Sequence, residues 1–81
     1  MHVTVLLFAQ ARERAGAERI ALALPDGSHL AEALAEIRRA HPALEPLWPH
    51  LAVAVDGRLT AGDAPLADGA ELALLPPVSG G

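Results

Sequence analysis

The sequence predicts an α+β domain in two layers, a β-sheet crossed by one main amphipathic helix. Segments near both ends of the chain alternate apolar and other residues with the period of a strand. A single stretch between them, Leu30 to Ala40, repeats its apolar residues at helical spacing. A chain of 81 residues has the size of one such domain, and one compact core is the expectation.

His2 to Phe8 opens the chain as a strand, with Val3, Val5 and Leu7 on one face and Thr4, Leu6 and Phe8 on the other. Apolar residues on both faces mark a central strand, whose second face needs a cover from the fold or from a partner. Ala9 to Ala15 suits a short helix stopped at Gly16, and Glu18 to Leu24 is the next strand, placing Ile20, Leu22 and Leu24 on one face. Pro25-Asp26-Gly27 then turns the chain. Ser28 is the expected N-cap of the main helix, whose apolar stripe is Leu30, Leu34 and Ile37 with Glu32, Glu36 and Arg39 off it. The Glu or Gln that would complete a capping box with Ser28 is missing, since Ala31 stands there. Pro42, Pro46 and Pro49 predict an irregular connection. Leu51, Val53 and Val55 alternate up to Asp56-Gly57, a strong hairpin signal, and Arg58 to Thr60 is the returning strand. After a turn at Asp68-Gly69, Glu71 to Leu75 forms the last strand, which Pro76-Pro77 ends because proline lacks the N–H that a sheet ladder needs.

Composition removes whole classes of function. A hydrophobic fraction of 52% with 20% charged residues is that of a folded domain, not a disordered one. No apolar run approaches the roughly 18 residues of a membrane span, and the N-terminus lacks the basic and apolar regions of an export signal. The net charge of −4, with six Arg scattered among ten acids, argues against nucleic acid and favours partners with basic surfaces. The chain contains no Cys, Lys, Asn or Tyr. Disulfides, thiolate nucleophiles, Schiff bases and a P-loop lysine are therefore excluded, and the absence of Cys fits a reducing cytoplasm. His2, His29, His41 and His50 match no metal-ligand spacing. Ser28, Ser79, Thr4 and Thr60 lie in no nucleophile motif.

With catalysis poorly provided for, the chain end stands out. Pro76-Pro77-Val78-Ser79-Gly80-Gly81 joins a stiff start to a permissive finish, proline fixing φ near −65° and glycine lacking a Cβ. At about 3.1–3.5 Å per residue this tail carries its carboxylate roughly 20 Å beyond the sheet, where another protein can close around the glycine backbone. A carboxylate is unreactive until adenylation turns it into an anhydride with a good leaving group. On its own, a Gly-Gly end also fits an ordinary frayed chain terminus.

The last strand and tail, Leu66-Ala67-Asp68-Gly69-Ala70-Glu71-Leu72-Ala73-Leu74-Leu75-Pro76-Pro77-Val78-Ser79-Gly80-Gly81, resemble the end of the small subunits of molybdopterin synthase, the MoaD family. Leu6-Leu7-Phe8-Ala9-Gln10-Ala11-Arg12-Glu13-Arg14-Ala15-Gly16 is similar to that family's first strand and helix, and Val53-Ala54-Val55-Asp56-Gly57 to its middle hairpin. The sequence departs from the pattern at Ala70, where the family often has Asp, and from His41 to His50.

The resemblance implies a ubiquitin-like β-grasp fold, a mixed sheet crossed by one main helix, over residues 1–75, with residues 76–81 as an extended tail. It implies that an E1-like enzyme adenylates Gly81 with ATP, Gly80 allowing access, and that a sulfurtransferase route converts the adenylate to a thiocarboxylate. This chain would bind no cofactor, and would insert its loaded tail into the large, catalytic subunit to donate sulfur to a pterin precursor. Without Cys, sulfur cannot be carried as a persulfide, which leaves the terminal carboxylate. Pro76, Pro77, Val78 and Ser79 are expected to contact the partner along with the glycines. Phe8, Leu59 and Leu75 are expected to form an apolar surface that the partner covers, because one helix covers only one side of a sheet. Carriers for thiamine or tRNA thiolation share the fold and the Gly-Gly end, but Pro76-Pro77-Val78-Ser79 favours the molybdopterin carriers over them, and a ubiquitin-like interaction module with an inert tail is the alternative from another class.

Overall fold

In the computed structural model, which describes residues 1–77, the chain forms β1 (His2–Leu7), α1 (Ala9–Ala15), β2 (Arg19–Ala23), α2 (Leu30–Ala40), a 3₁₀ segment (Pro42–His50), β3 (Ala52–Val55), β4 (Arg58–Thr60) and β5 (Glu71–Leu75). The strands make one mixed sheet in the order β2-β1-β5-β3-β4. β1 pairs antiparallel with β2 and parallel with β5, and β3 pairs antiparallel with both β5 and β4. The expected α+β ubiquitin-like arrangement is therefore present, with the first and last strands side by side at the centre.

Register decides which side chains share a face. Val5 lies opposite Ile20 and Leu72, and Leu7 opposite Leu74, so the buried residues of β1, β2 and β5 line one side. Leu30, Ala33 and Ile37 of α2 and Ala11 of α1 pack onto that side in one cluster. Leu34, expected in the helix stripe, is only partly buried at its margin.

Two local expectations are corrected. The N-cap of α2 is His29, not Ser28. Ser28 is 2% exposed and its hydroxyl donates to the Pro25 carbonyl at 2.7 Å, closing the preceding turn. With the cap moved by one residue, Glu32 falls in the box position, and its Oε1 accepts the His29 N–H at 3.0 Å. The stretch containing Pro42, Pro46 and Pro49 is not irregular but winds as 3₁₀ turns. Pro42 stands in the first turn, where its missing N–H is no loss, and side chains three apart eclipse in this geometry, which turns Leu44 and Leu47 together into the core. Arg38 of α2 pairs with Glu45 and lies 5.3 Å from the Trp48 ring centroid, joining this segment to the helix.

The hairpin turn forms as its residues predict. Asp56 and Gly57 take φ of 49° and 82°, the left-handed pair that matches the twist of the flanking strands. Asp56 also bonds to the next strand over, its N–H donating to the Glu71 carbonyl at 2.8 Å and its Oδ1 accepting the Glu71 N–H at 2.9 Å.

Candidate functional site

Among the described residues, no helix packs on the face of the sheet turned away from α1 and α2. Strand pairing sets a row across it, Arg19 opposite Leu6, Leu6 opposite Ala73, Ala73 opposite Ala54, and Ala54 opposite Leu59. Leu75 lies on the same face, opposite Ala52. Leu59 is 71% exposed, and Leu6 and Leu75 are half-buried. Ala54 is buried yet outside the helix-side cluster, because its shelter comes from neighbours on this open face.

Of the expected surface residues, Leu59 and Leu75 share this face. Phe8 stands at its rim, 44% exposed, where extended backbone (φ −123°, ψ 152°) continues the alternation of β1 by one residue. Ala9 follows with a φ of 49°, which turns the chain abruptly into α1 and leaves Phe8 projecting. Leu6, Ala73 and Ala54 complete the surface. The alternation of β1 already puts Leu6 on this side, whereas Ala73 and Ala54 meet only through pairings that local pattern does not encode.

β5 leads straight out of this surface. Leu74 lies opposite Leu7 and Val53, Leu75 follows, Pro76 is half-buried and Pro77 exposed. Val78, Ser79, Gly80 and Gly81 lie outside the described residues. A hollow of about 270 Å³ lined by Leu6, Leu7, Phe8, Arg12, Glu18 and Arg19 opens at the same end of the sheet, with Arg12 3.5 Å from Glu18.

The titratable groups elsewhere serve the fold. Asp63 Oδ1 accepts the Ala31 N–H at 2.8 Å and the Ala64 N–H at 2.9 Å, and Oδ2 lies 3.3 Å from His29 Nδ1. The Leu30 N–H donates to the Ala64 carbonyl at 2.7 Å, so this loop satisfies donors at the start of α2 that the helix itself leaves open. The bond from Ala31, above all, holds the Asp63 carboxyl below the usual carboxylate range. The His2 N–H does the same for Asp68, donating to its Oδ1 at 2.7 Å. Among the described residues no group of three His, Cys, Asp or Glu side chains is placed to hold a metal. No helix of the described chain is long and apolar enough to cross a membrane.

A small ubiquitin-like sheet with one open apolar face and a strand that runs from it into the tail is the architecture of a β-grasp carrier or modifier. The chain belongs to the ThiS family, whose sequence model matches residues 5–81. It is 39% identical over 83 residues to the molybdopterin synthase sulfur carrier subunit of Chlamydomonas reinhardtii, covering all of both chains. Among solved structures, the crystal structure of small archaeal modifier protein 1 from Haloferax volcanii is similar over the whole of both chains, with a TM-score of 0.90 and 34% identity. The complex of subunits 1 and 2 of the molybdopterin-converting factor from Helicobacter pylori contains a chain similar over its whole length, with a TM-score of 0.73 and 28% identity.

Proposed function

We propose that this protein is the sulfur carrier subunit of a molybdopterin synthase and that sulfur rides on its terminal carboxyl, Gly81. One juxtaposition carries this reading. The central strand β5 leaves an open apolar face and runs into a Pro-Pro-Val-Ser-Gly-Gly end, in a chain that matches a curated carrier subunit from end to end.

In the proposed cycle an E1-like enzyme binds the protein and ATP. A carboxylate oxygen of Gly81 attacks the α-phosphorus, pyrophosphate leaves, and the acyl-adenylate forms. The terminal sulfur of a sulfurtransferase persulfide then displaces AMP to give an acyl disulfide, and a thiol of that partner attacks its sulfur–sulfur bond, leaving as a disulfide and freeing the thiocarboxylate. The large subunit of the synthase covers Leu59, Leu75, Phe8 and Leu6, grips Pro76, Pro77, Val78 and Ser79, and draws the thiocarboxylate to the pterin precursor. Gly80 lets the partner's active site approach the backbone without a Cβ in the way. Catalysis resides in the partners, this chain binds no cofactor, and these ATP-dependent steps take place in the cytoplasm.

The test is intact mass spectrometry after incubation with the E1-like enzyme, ATP and a sulfur donor. The protein should gain the difference between one sulfur and one oxygen atom, localised to Gly81. A variant with one residue appended after Gly81 should fold normally and be loaded about a hundredfold more slowly, since its carboxylate is displaced by about 3.5 Å. Equal loading of the extended variant without trimming overturns the proposal. Failure to bind the large subunit after successful loading points instead to a carrier for thiamine or tRNA thiolation, and failure to load at all to an inert module.

The similarity to small archaeal modifier protein 1 favours a second reading, in which an amine of another protein, not sulfur, takes the activated carboxyl.

A further inference from the structure

An activated C-terminal carboxyl is an electrophile, and any amine within reach converts it to an amide. The sequence offers the folded chain unusually few such groups. There is no Lys and no Cys, and every basic side chain other than His is Arg, whose guanidinium stays protonated and is not a nucleophile at neutral pH. The only amine is the α-amino group of Met1.

That group is engaged. The Met1 ammonium donates to the Leu24 carbonyl at 2.7 Å and to Asp26 Oδ1 at 3.1 Å, and the Met1 side chain is only 3% exposed. The next residue is fixed as well, its N–H bonded to Asp68 Oδ1 at 2.7 Å. To attack an acyl group, the nitrogen must lose a proton and turn its lone pair outward, away from both acceptors, while its side chain stays in the core. Sheet topology adds distance. Because β1 and β5 run parallel, with Thr4 opposite Glu71 and Leu7 opposite Leu74, Met1 lies at the end of the sheet remote from Leu75. The separation is roughly 20 Å at the rise of a strand, so the tail's full reach of about 20 Å would be taken up in running back along the sheet.

We propose that this protein is an acyl donor that cannot serve as an acyl acceptor. When its activated carboxyl is captured by an amine of another protein, the acyl-adenylate and the amine give an amide, AMP and a proton. The conjugate then carries one terminal copy, never a chain of copies, and the loaded carrier does not consume itself. This rests on the activation of Gly81 proposed above and concerns what the activated chain can react with.

The experiment incubates the full-length protein at high concentration with the E1-like enzyme and ATP, without sulfur donor, and follows products by denaturing gel and intact mass. Hydroxylamine in a parallel reaction traps the activated carboxyl as a hydroxamate, so a failure of activation itself is seen separately, and it removes the basis of both proposals. With hydroxamate formed, the parent should give no amide-linked product of two copies and no cyclised chain, while Arg14→Lys, an exposed replacement on α1, should give a ladder. An acetylating N-hydroxysuccinimide ester should label Met1 more slowly in the native protein than in urea. Amide-linked copies joined at Met1 of the parent overturn the proposal. So does a lysine variant that forms no ladder although it is activated, because scarcity of amines would then not be the reason.

Discussion

Leu59 offers the sharpest separation of surface from core. It lies on the edge strand β4 opposite Ala54, 71% exposed, and is not among the residues of the helix-side core. If the large subunit covers it, about seven-tenths of a full leucine burial is gained on binding, which at ~1.5–3 kcal/mol for the whole side chain is ~1–2 kcal/mol. Leu59→Ala should then weaken the complex by about five- to thirtyfold. Leu59→Glu should weaken it further, because an ionised carboxylate would have to be desolvated against Ala54 and Ala73. Neither change should move the unfolding free energy by more than ~0.5 kcal/mol. Leu72→Ala is the contrasting case. Leu72 is fully buried among Val5, Val55 and the helices, and its truncation should cost ~2–5 kcal/mol and lower Tm by about 8 °C or more. Titration calorimetry against the large subunit measures affinity, and the fluorescence of Trp48, the chain's only tryptophan, reports unfolding. An unchanged affinity for Leu59→Glu refutes the docking face, and a large loss of stability would mean that this side chain belongs to the fold.

Ala9→Gly should raise stability by ~0.5–1 kcal/mol, since the left-handed φ of 49° costs an L-residue ~1–2 kcal/mol and glycine returns part of that as lost chain entropy; a urea midpoint below the parent's would contradict this. The carboxyls of Asp63 and Asp68 titrate lower in the folded than in the unfolded chain, so their stabilisation is complete above the ordinary carboxylate pKa and is lost as pH falls from about 4 through the folded values. Urea midpoints should therefore drop in acid, and Asp63→Asn with Asp68→Asn should flatten that dependence; an equally steep fall in the double variant would assign it to other groups.

Strands and helices were legible because their signals are local. Val3, Val5 and Leu7 alternate, Leu30 and Ile37 recur at helical spacing, and Asp56-Gly57 specifies its turn. The cap of α2 was not, because it is settled from outside the helix. Ser28 is drawn back into the turn by Pro25, and the groups that meet the first helical N–H donors come from Asp63 and Ala64, far along the chain. The prolines of the 3₁₀ segment signal the end of an α-helix correctly but do not tell an irregular loop from tighter turns. For the site, alternation alone singled out Leu59 and Leu75, while the joining of Leu6, Ala73, Ala54 and Leu59 into one row depended on strand order. The proposed role of Gly81 rests on the tail's composition and the family resemblance together, not on any side-chain constellation.

The place of β5 has a consequence for how the protein is made. It lies between β1 and β3, so the β1–β2 and β3–β4 pairs have no ladder between them until the last strand is inserted. The pairing that completes the sheet joins residues near opposite ends of the chain, such as Thr4 with Glu71, and such distant contacts form late and slowly. A nascent or truncated chain lacking Glu71–Leu75 would hold two separate antiparallel strand pairs and no closed core, open to proteolysis. Folding thus acts as a proofreading step on synthesis. Copies that survive are those translated through β5, the strand immediately preceding the tail.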